Sequence, residues 1–228
     1  MHEHPLQRFF KSLREQPVFA WERYQMRDVL VIDHPLCQAV FSRQGAQLLH
    51  FQPRGQKPWL WCAAKWPHVG AIRGGVPVCW PWFGPDPQGL GRPNHGFART
   101  RLWSVLNTGA TPASETQVTL GLRDTPDTRA LWPHAFELTL QITVGTTLRL
   151  ALTTRNTGDA PFQITQALHS YFAVGDIART AVTGLEGCSY IDNATGAGGG
   201  ARGVWWMSAR SERALVRALG TLEEREVM

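Results

Sequence analysis

Cysteine is scarce in this chain of 228 residues, which has four: Cys37, Cys62, Cys79 and Cys188. None belongs to a C-x-x-C pair, and no Cys/His cluster has zinc-finger spacing, so a cysteine-built metal module is excluded. The expected state is the buried free thiol of a reducing compartment. Charge is also sparse, with Asp, Glu, Lys and Arg at 18% of residues, and the Lys and Arg are scattered. No RNA- or DNA-binding motif is present, so nucleic acid is not an expected partner. There is no long apolar span and no secretory h-region, which points to a cytoplasmic protein without a membrane partner. His2 and His4 offer at most a weak metal contact at a frayed terminus, and no metal or other cofactor is expected.

What the chain has is a 43% hydrophobic content and ten tryptophans. Its length suffices for one large all-β domain with a sizeable core. The formal charge is +5 and the pI about 9.4, which favours an anionic partner such as a small phosphorylated substrate.

The patterning changes along the chain. LQRFFKSLREQ, apolar at Leu6, Phe9, Phe10 and Leu13, predicts a short helix capping one end of a sheet, so residues 1–27 form a helical lead-in. From Asp28, short β-prone runs alternate with turn residues: DVLVIDH, CQAVFSRQG, AQLLHFQP, PWLWCA. Trp59 and Trp61 lie two apart, share a strand face, and are expected in the core rather than on a sugar platform. Val76 to Trp82 is β-prone, but Pro77 and Pro81 cannot donate to a ladder, so this run must bulge or sit at an edge. PDPQGLGRPN reads as a loop. TRALWPHAF holds at most one helical turn, broken at Pro133. FELTLQITV and TLRLALTTRN predict a hairpin, and PFQITQALHSYFAV a long strand carrying His169. Many short strands with regular turns predict a sandwich or barrel.

The densest chemistry lies in AIRGGVPVCWPWFGPDPQGLGRPNHGFART, residues 71–100. Paired glycines allow positive φ or close backbone approach. Arginine offers a planar fork suited to phosphates and hydroxyls. Taken as residue types alone, a Pro-rich hairpin loop over a Trp-rich core and a ligand site are about equally supported. Trp82 either faces a sugar ring or packs.

AIRGGVPVCWPWFGP and HGFAR, followed by LHSYFAVGDI and GLEGCSYID, resemble the glucose-6-phosphate 1-epimerases (hexose-6-phosphate mutarotases) of the galactose mutarotase-like superfamily. The resemblance runs in order from about Asp28 to about Asn193. It implies an all-β, large twisted β-sandwich over residues 28–195. It also implies interconversion of α and β anomers of a hexose 6-phosphate by acid/base ring opening, with no cofactor and a monomeric chain. A lone His in a strand reads more readily as a core residue. The resemblance instead makes His169 the general acid to the ring oxygen, with a pKa range suited to that role. It makes Arg73, His95 and Arg99 substrate contacts. Asn94 stands where some relatives carry Gln.

The family's base is a glutamate on a later strand. Glu212, Glu223, Glu224 and Glu226 match no motif, and Asp176 reads as a turn residue. Residues 196–228 are expected to be a Gly-rich linker and a helical tail, with Leu215, Ala218, Leu219 and Leu222 on one face. A frameshift or premature end near Ala197 is the expected cause of that change. The other reading is a sugar-phosphate-binding sandwich without the base.

Overall fold

The computed structural model describes residues 5–12, 19–176, 180–182, 189–192, 198–200, 205–206 and 213–215. Contacts divide the chain into two units, Met1–Ala173 and Val174–Met228.

The first unit opens with helix α1 (Pro5–Ser12). Strands β1 (Phe19–Tyr24), β2 (Arg27–Asp33), β3 (Cys37–Ser42) and β4 (Gln47–Pro53) follow. They form an antiparallel sheet in sequence order. β5 is only Val78–Cys79. After a 3₁₀ turn at Ala98–Thr100 come β6 (Ser104–Ala110), β7 (Thr116–Arg123), helix α2 (Pro126–Leu131), β8 (Phe136–Val144) and β9 (Leu148–Asn156). β6 to β9 make a second antiparallel sheet, again in sequence order. β10 (Ala167–Leu168) pairs with β5.

One continuous core joins the two sheets. Leu30, Ile32, Phe41, Leu48 and Phe51 of the first pack in one cluster with Leu120, Leu138, Leu140 and Ile142 of the second. The expected sandwich is therefore present. In the first sheet β2, β3 and β4 are buried on both faces, and for that reason β2 reads as a near-continuous apolar run rather than an alternation. Its outer face, Val29, Val31, Val40 and Leu49, is covered by Leu6 of α1 together with Cys62, Trp66 and Ile72. Phe9 adds a ring contact to Tyr24 at 4.7 Å. The helix thus lies on a sheet face and does not cap a sheet end, because its apolar stripe has a matching apolar face only there. β9 alternates half-buried and exposed residues, the mark of one solvated face.

The expected hairpin is found, with β8 and β9 paired from Val144↔Leu148 to Phe136↔Asn156. The single helical turn is also found. Thr125 caps α2 through a reciprocal pair of bonds with Thr128, Pro126 begins the helix, and it ends at Trp132, next to Pro133, whose ring disfavours helical backbone in the preceding residue.

In the second unit, β12 (Ser189–Asp192) pairs with both β13 (Gly198–Gly200) and β15 (Arg213–Leu215). β11 (Ala181–Val182) pairs with β14 (Trp205–Trp206). This corrects the expected Gly-rich linker and helical tail where residues are described. Gly198–Gly200 and Arg213–Leu215 are strands, because backbone pairing on both edges of β12 outweighs local propensity. Ala218, Leu219 and Leu222 of the expected helix face lie outside the described residues, as do Cys188 and most of GLEGCSYID.

Cys37, Cys62 and Cys79 are free and buried. Burial pushes each thiol up from 9.0 to about 11. The folded state therefore holds these protons more tightly than the unfolded chain, so their contribution to stability is complete below pH 9 and disappears toward pH 11. Native protein is expected to give no reaction at these thiols with a disulfide reagent at pH 8, and prompt reaction once unfolded in urea. Rapid native labelling would show that the fold leaves them open. Leu140→Ala, at a fully buried position of β8, is expected to lower unfolding free energy by about 2–5 kcal/mol, read from urea midpoints.

Candidate functional site

The Arg-Gly-Gly segment is shaped by backbone geometry that only glycine permits. Gly74 has φ +110° and Gly75 φ +62°. A Cβ on Gly75 would lie 2.0 Å from the carbonyl oxygen of Leu48, and one on Gly74 2.4 Å from Cα of Cys62. Close approach of three backbone segments is what requires glycine here. The Gly75 amide donates to Trp61 O at 2.7 Å and the Val76 amide to Leu48 O at 2.8 Å. Gln47, fully buried in β4, donates through Nε2 to Ile72 O at 3.1 Å and Gly74 O at 2.6 Å. Those carbonyls bracket Arg73, whose own carbonyl accepts from the Ala63 amide at 3.0 Å. The main chain of Arg73 is therefore fixed on three sides while its side chain is exposed.

The histidine segment runs antiparallel to this stretch in one register. Thr165 N donates to Pro81 O at 3.1 Å, His169 N to Pro77 O at 3.0 Å and Tyr171 N to Gly75 O at 2.8 Å. Between them Ala167 faces Cys79 and Leu168 faces Val78. The expected long strand is thus reduced to the two residues of β10. Pro77 and Pro81 accept hydrogen bonds but have no N–H to return them, so the reciprocal ladder fails on either side. The extended path persists, and Trp61 N donates to Tyr171 O at 2.9 Å beyond it.

The third contributor is the loop leading into HGFAR. Gly96, at φ +67°, pairs with Trp80, and a Cβ there would lie 2.0 Å from Trp80 O. The amide of His95 donates to Gly84 O at 2.7 Å. The Gly84 amide donates back to His95 Nδ1 at 3.0 Å. A ring nitrogen that accepts from an amide carries no proton, so the imidazole is held as the Nε2–H tautomer.

These segments bring the two predicted histidines together. The His95 and His169 rings are 6.0 Å apart. Phe83 lies against both, at 5.0 Å and 5.9 Å. Tyr171 stacks on His169 at 4.8 Å, and Trp61 extends the row at 6.0 Å from Tyr171. Both histidines are half-buried.

Arg99 follows His95 by one turn. Its Nη2 donates to Asn94 O at 2.7 Å. Its guanidinium is close enough to Cys79 to oppose the upward push of burial on that thiol, and Cys79 faces Ala167 in the histidine segment. Among the described residues neither Arg73 nor Arg99 is paired with a carboxylate. No group of three His, Cys, Asp or Glu able to hold a metal occurs among the described residues, and none of their helices is long and apolar enough to cross a membrane.

Trp82 packs: it is 3% exposed, and its Nε1 donates to Pro93 O at 2.9 Å. Trp59 and Trp61, expected in the core, are 37% and 43% exposed. The segment bearing them pairs through isolated bridges at Leu60 and Cys62, and both residues stay partly open to solvent. Gln47, Phe83, Tyr171 and Trp61 were not singled out as site residues from sequence. Tyr171 had a usable signal, since it lies two residues from His169 on an extended segment. Gln47 had none, because a buried amide is known only by what it bonds.

Residues 28–202 match the family model described as aldose 1-epimerase. The chain is 42% identical over 178 residues to a protein of Escherichia coli named "Putative glucose-6-phosphate 1-epimerase", covering 77% of this chain and 58% of that one. The relative of the same name in Salmonella typhimurium matches with the same identity and coverage. The chain therefore spans 58% of the length of these curated relatives. The crystal structure titled as a "putative mutarotase (YeaD)" from Salmonella typhimurium superposes with a TM-score of 0.80 at 35% identity, covering 90% of this chain and 71% of that one.

Gly75→Ala is expected to lower stability by at least about 2 kcal/mol, from left-handed strain plus a clash with rigid backbone. Gly91→Ala, with φ +73° but open space around it, should lose only about 1 kcal/mol. Equal losses in urea titrations would remove the close approach as the reason for Gly75.

Proposed function

The chain belongs to the aldose 1-epimerase family, and on that premise we infer that it interconverts the α and β anomers of a hexose 6-phosphate. The observation that carries this reading is the pair of imidazoles 6.0 Å apart, set in a row of aromatic rings, with Arg73 and Arg99, neither paired with a carboxylate among the described residues, on the segments that meet there. Aromatic faces suit the apolar side of a pyranose. Unpaired guanidinium groups suit a phosphate, which they hold with two parallel bonds.

The chemistry requires one proton in and one proton out. His169, as imidazolium, donates to the ring oxygen as the C1–O5 bond breaks. The anomeric hydroxyl gives its proton to a base, and C1 becomes an aldehyde carbon. Rotation about C1–C2 presents the other face. O5 then returns its proton to His169 as it attacks C1, and the base gives its proton back to the carbonyl oxygen, which becomes the anomeric hydroxyl again. In the resemblance the base is a glutamate on a later strand, and no residue described here is assigned that role. His95, held as the Nε2–H tautomer, donates to a sugar hydroxyl. Arg73 and Arg99 bind the anion, with Arg73 presented by the Gln47-braced turn. The reading calls for no cofactor, in a monomeric protein of the cytoplasm.

Magnetisation-transfer NMR on glucose 6-phosphate tests this. Exchange above the uncatalysed rate is expected, falling by about a hundredfold or more in His169→Ala. Arg73→Met and Arg99→Met are expected to raise KM for the 6-phosphate by on the order of tenfold each, with little effect on unphosphorylated glucose. A folded protein that shifts the sugar-phosphate resonances without accelerating exchange would mark a binding sandwich rather than an enzyme.

A further inference from the structure

The loop from Gly84 to His95 is Gly- and Pro-rich and largely exposed, yet it holds a buried ion pair. The Asp86 and Arg92 side chains are 5% and 8% exposed. Asp86 Oδ1 accepts from Arg92 Nη2 at 2.5 Å and from the Gln88 amide at 3.1 Å. Its Oδ2 accepts from the amides of Leu90 at 2.8 Å and Arg92 at 3.2 Å. One carboxylate thus gathers three backbone amides of its own loop. Arg92 carries the connection outward. Its Nη1 donates to the carbonyl of Leu131, the last residue of α2, at 3.0 Å, and its guanidinium carbon sits 4.4 Å over the Trp82 ring. Trp82 is bonded in turn to Pro93 O.

A loop of this composition has many conformations available. A buried pair held by several hydrogen bonds is poor evidence for added stability but an effective way to select one arrangement. The arrangement selected here ends in two contacts of the site: the Gly84 amide on His95 Nδ1 and the Asn94 carbonyl on Arg99 Nη2. Arg92 is the side chain through which the pair ties the loop to α2.

We propose that Asp86 and Arg92 are positioning residues that fix the loop so that His95 keeps its Nε2–H tautomer and Arg99 keeps its place. The proposal rests on the epimerase reading for its kinetic consequence and not for its structural one. Arg92 holds the Asp86 carboxyl well below the usual carboxylate range, with the loop amides adding to that effect, so the pair stays charged throughout neutral pH.

The test uses the full chain with Asp86→Asn, Arg92→Met and Arg92→Lys, and His95→Gln to assign the His95 signals. Long-range ¹⁵N–¹H NMR of the imidazoles reports the tautomer directly. The wild type is expected to show His95 as a single Nε2–H form. Asp86→Asn and Arg92→Met should show a mixture of tautomers at His95 with the His169 signals unmoved. Arg92→Lys, which keeps the charge but not the fork, should fall between. In the exchange assay KM should rise on the order of tenfold, the value of one charge-assisted hydrogen bond, with kcat within about twofold. A merely structural pair would lower the melting temperature and leave the His95 tautomer and KM as in the wild type, which would overturn the proposal. Should Asp86→Asn not fold, the two Arg92 variants decide it. Absence of exchange in the wild type would count against the epimerase reading alone, since the tautomer measurement stands without it.

Discussion

The antiparallel register that sets Tyr171 opposite Gly75, His169 opposite Pro77, Ala167 opposite Cys79 and Thr165 opposite Pro81 is the constraint on which the site depends. It brings the histidine segment to the Arg-Gly-Gly turn and the aromatic run, which lie about ninety residues before it in sequence. The two prolines limit the ladder to a single short pair, so the register is not held by a regular strand. It is held by amides of the histidine segment donating one way, and by glycine backbone that lets Leu48, Trp61 and Tyr171 converge on residue 75. A side chain at position 75 would occupy the space where the Leu48 carbonyl now sits.

Trp80 ties that arrangement to the rest of the sandwich. Fully buried, it contacts Phe97, Trp132 and Phe136 at 5.7, 5.1 and 4.5 Å. Its Nε1 donates to Thr154 Oγ1 of β9 at 3.1 Å, and that hydroxyl in turn bonds Gln166 at 3.2 Å, just before β10. Its carbonyl accepts from Phe97 at 3.0 Å. One side chain and its backbone thus connect the second sheet, the HGFAR turn and the histidine segment. Apolar burial supplies the packing, and the few polar bonds give it a direction.

Much of the site was legible residue by residue. His95, His169, Arg73 and Arg99 stand out because the strings around them resemble a family; the Gly-rich settings of the arginines also suit anion chemistry, whereas the strand setting of His169 alone reads as core. What could not be read was how each is held. Gln47 is an ordinary strand residue until its amide is seen across Ile72 and Gly74. Asp86 and Arg92 look like loop solvation until both side chains prove buried. Trp59 and Trp61 have the composition of core residues, and only the irregular segment around them leaves their rings exposed.

By itself the sequence determined the elements whose cause is local. The alternation of β8 and β9, the stop before Pro133 and the inability of Pro77 and Pro81 to donate follow from side-chain period, hydrogen-bonding capacity and ring geometry. The tertiary structure decided everything that needs a partner distant in the chain. That includes α1 on a sheet face, the strands of residues 198–200 and 213–215 in place of linker and helix, the meeting of two imidazoles, and the buried pair under the loop. Each of these turns on which backbone edge or apolar surface is left open by the others, a quantity that no single segment carries.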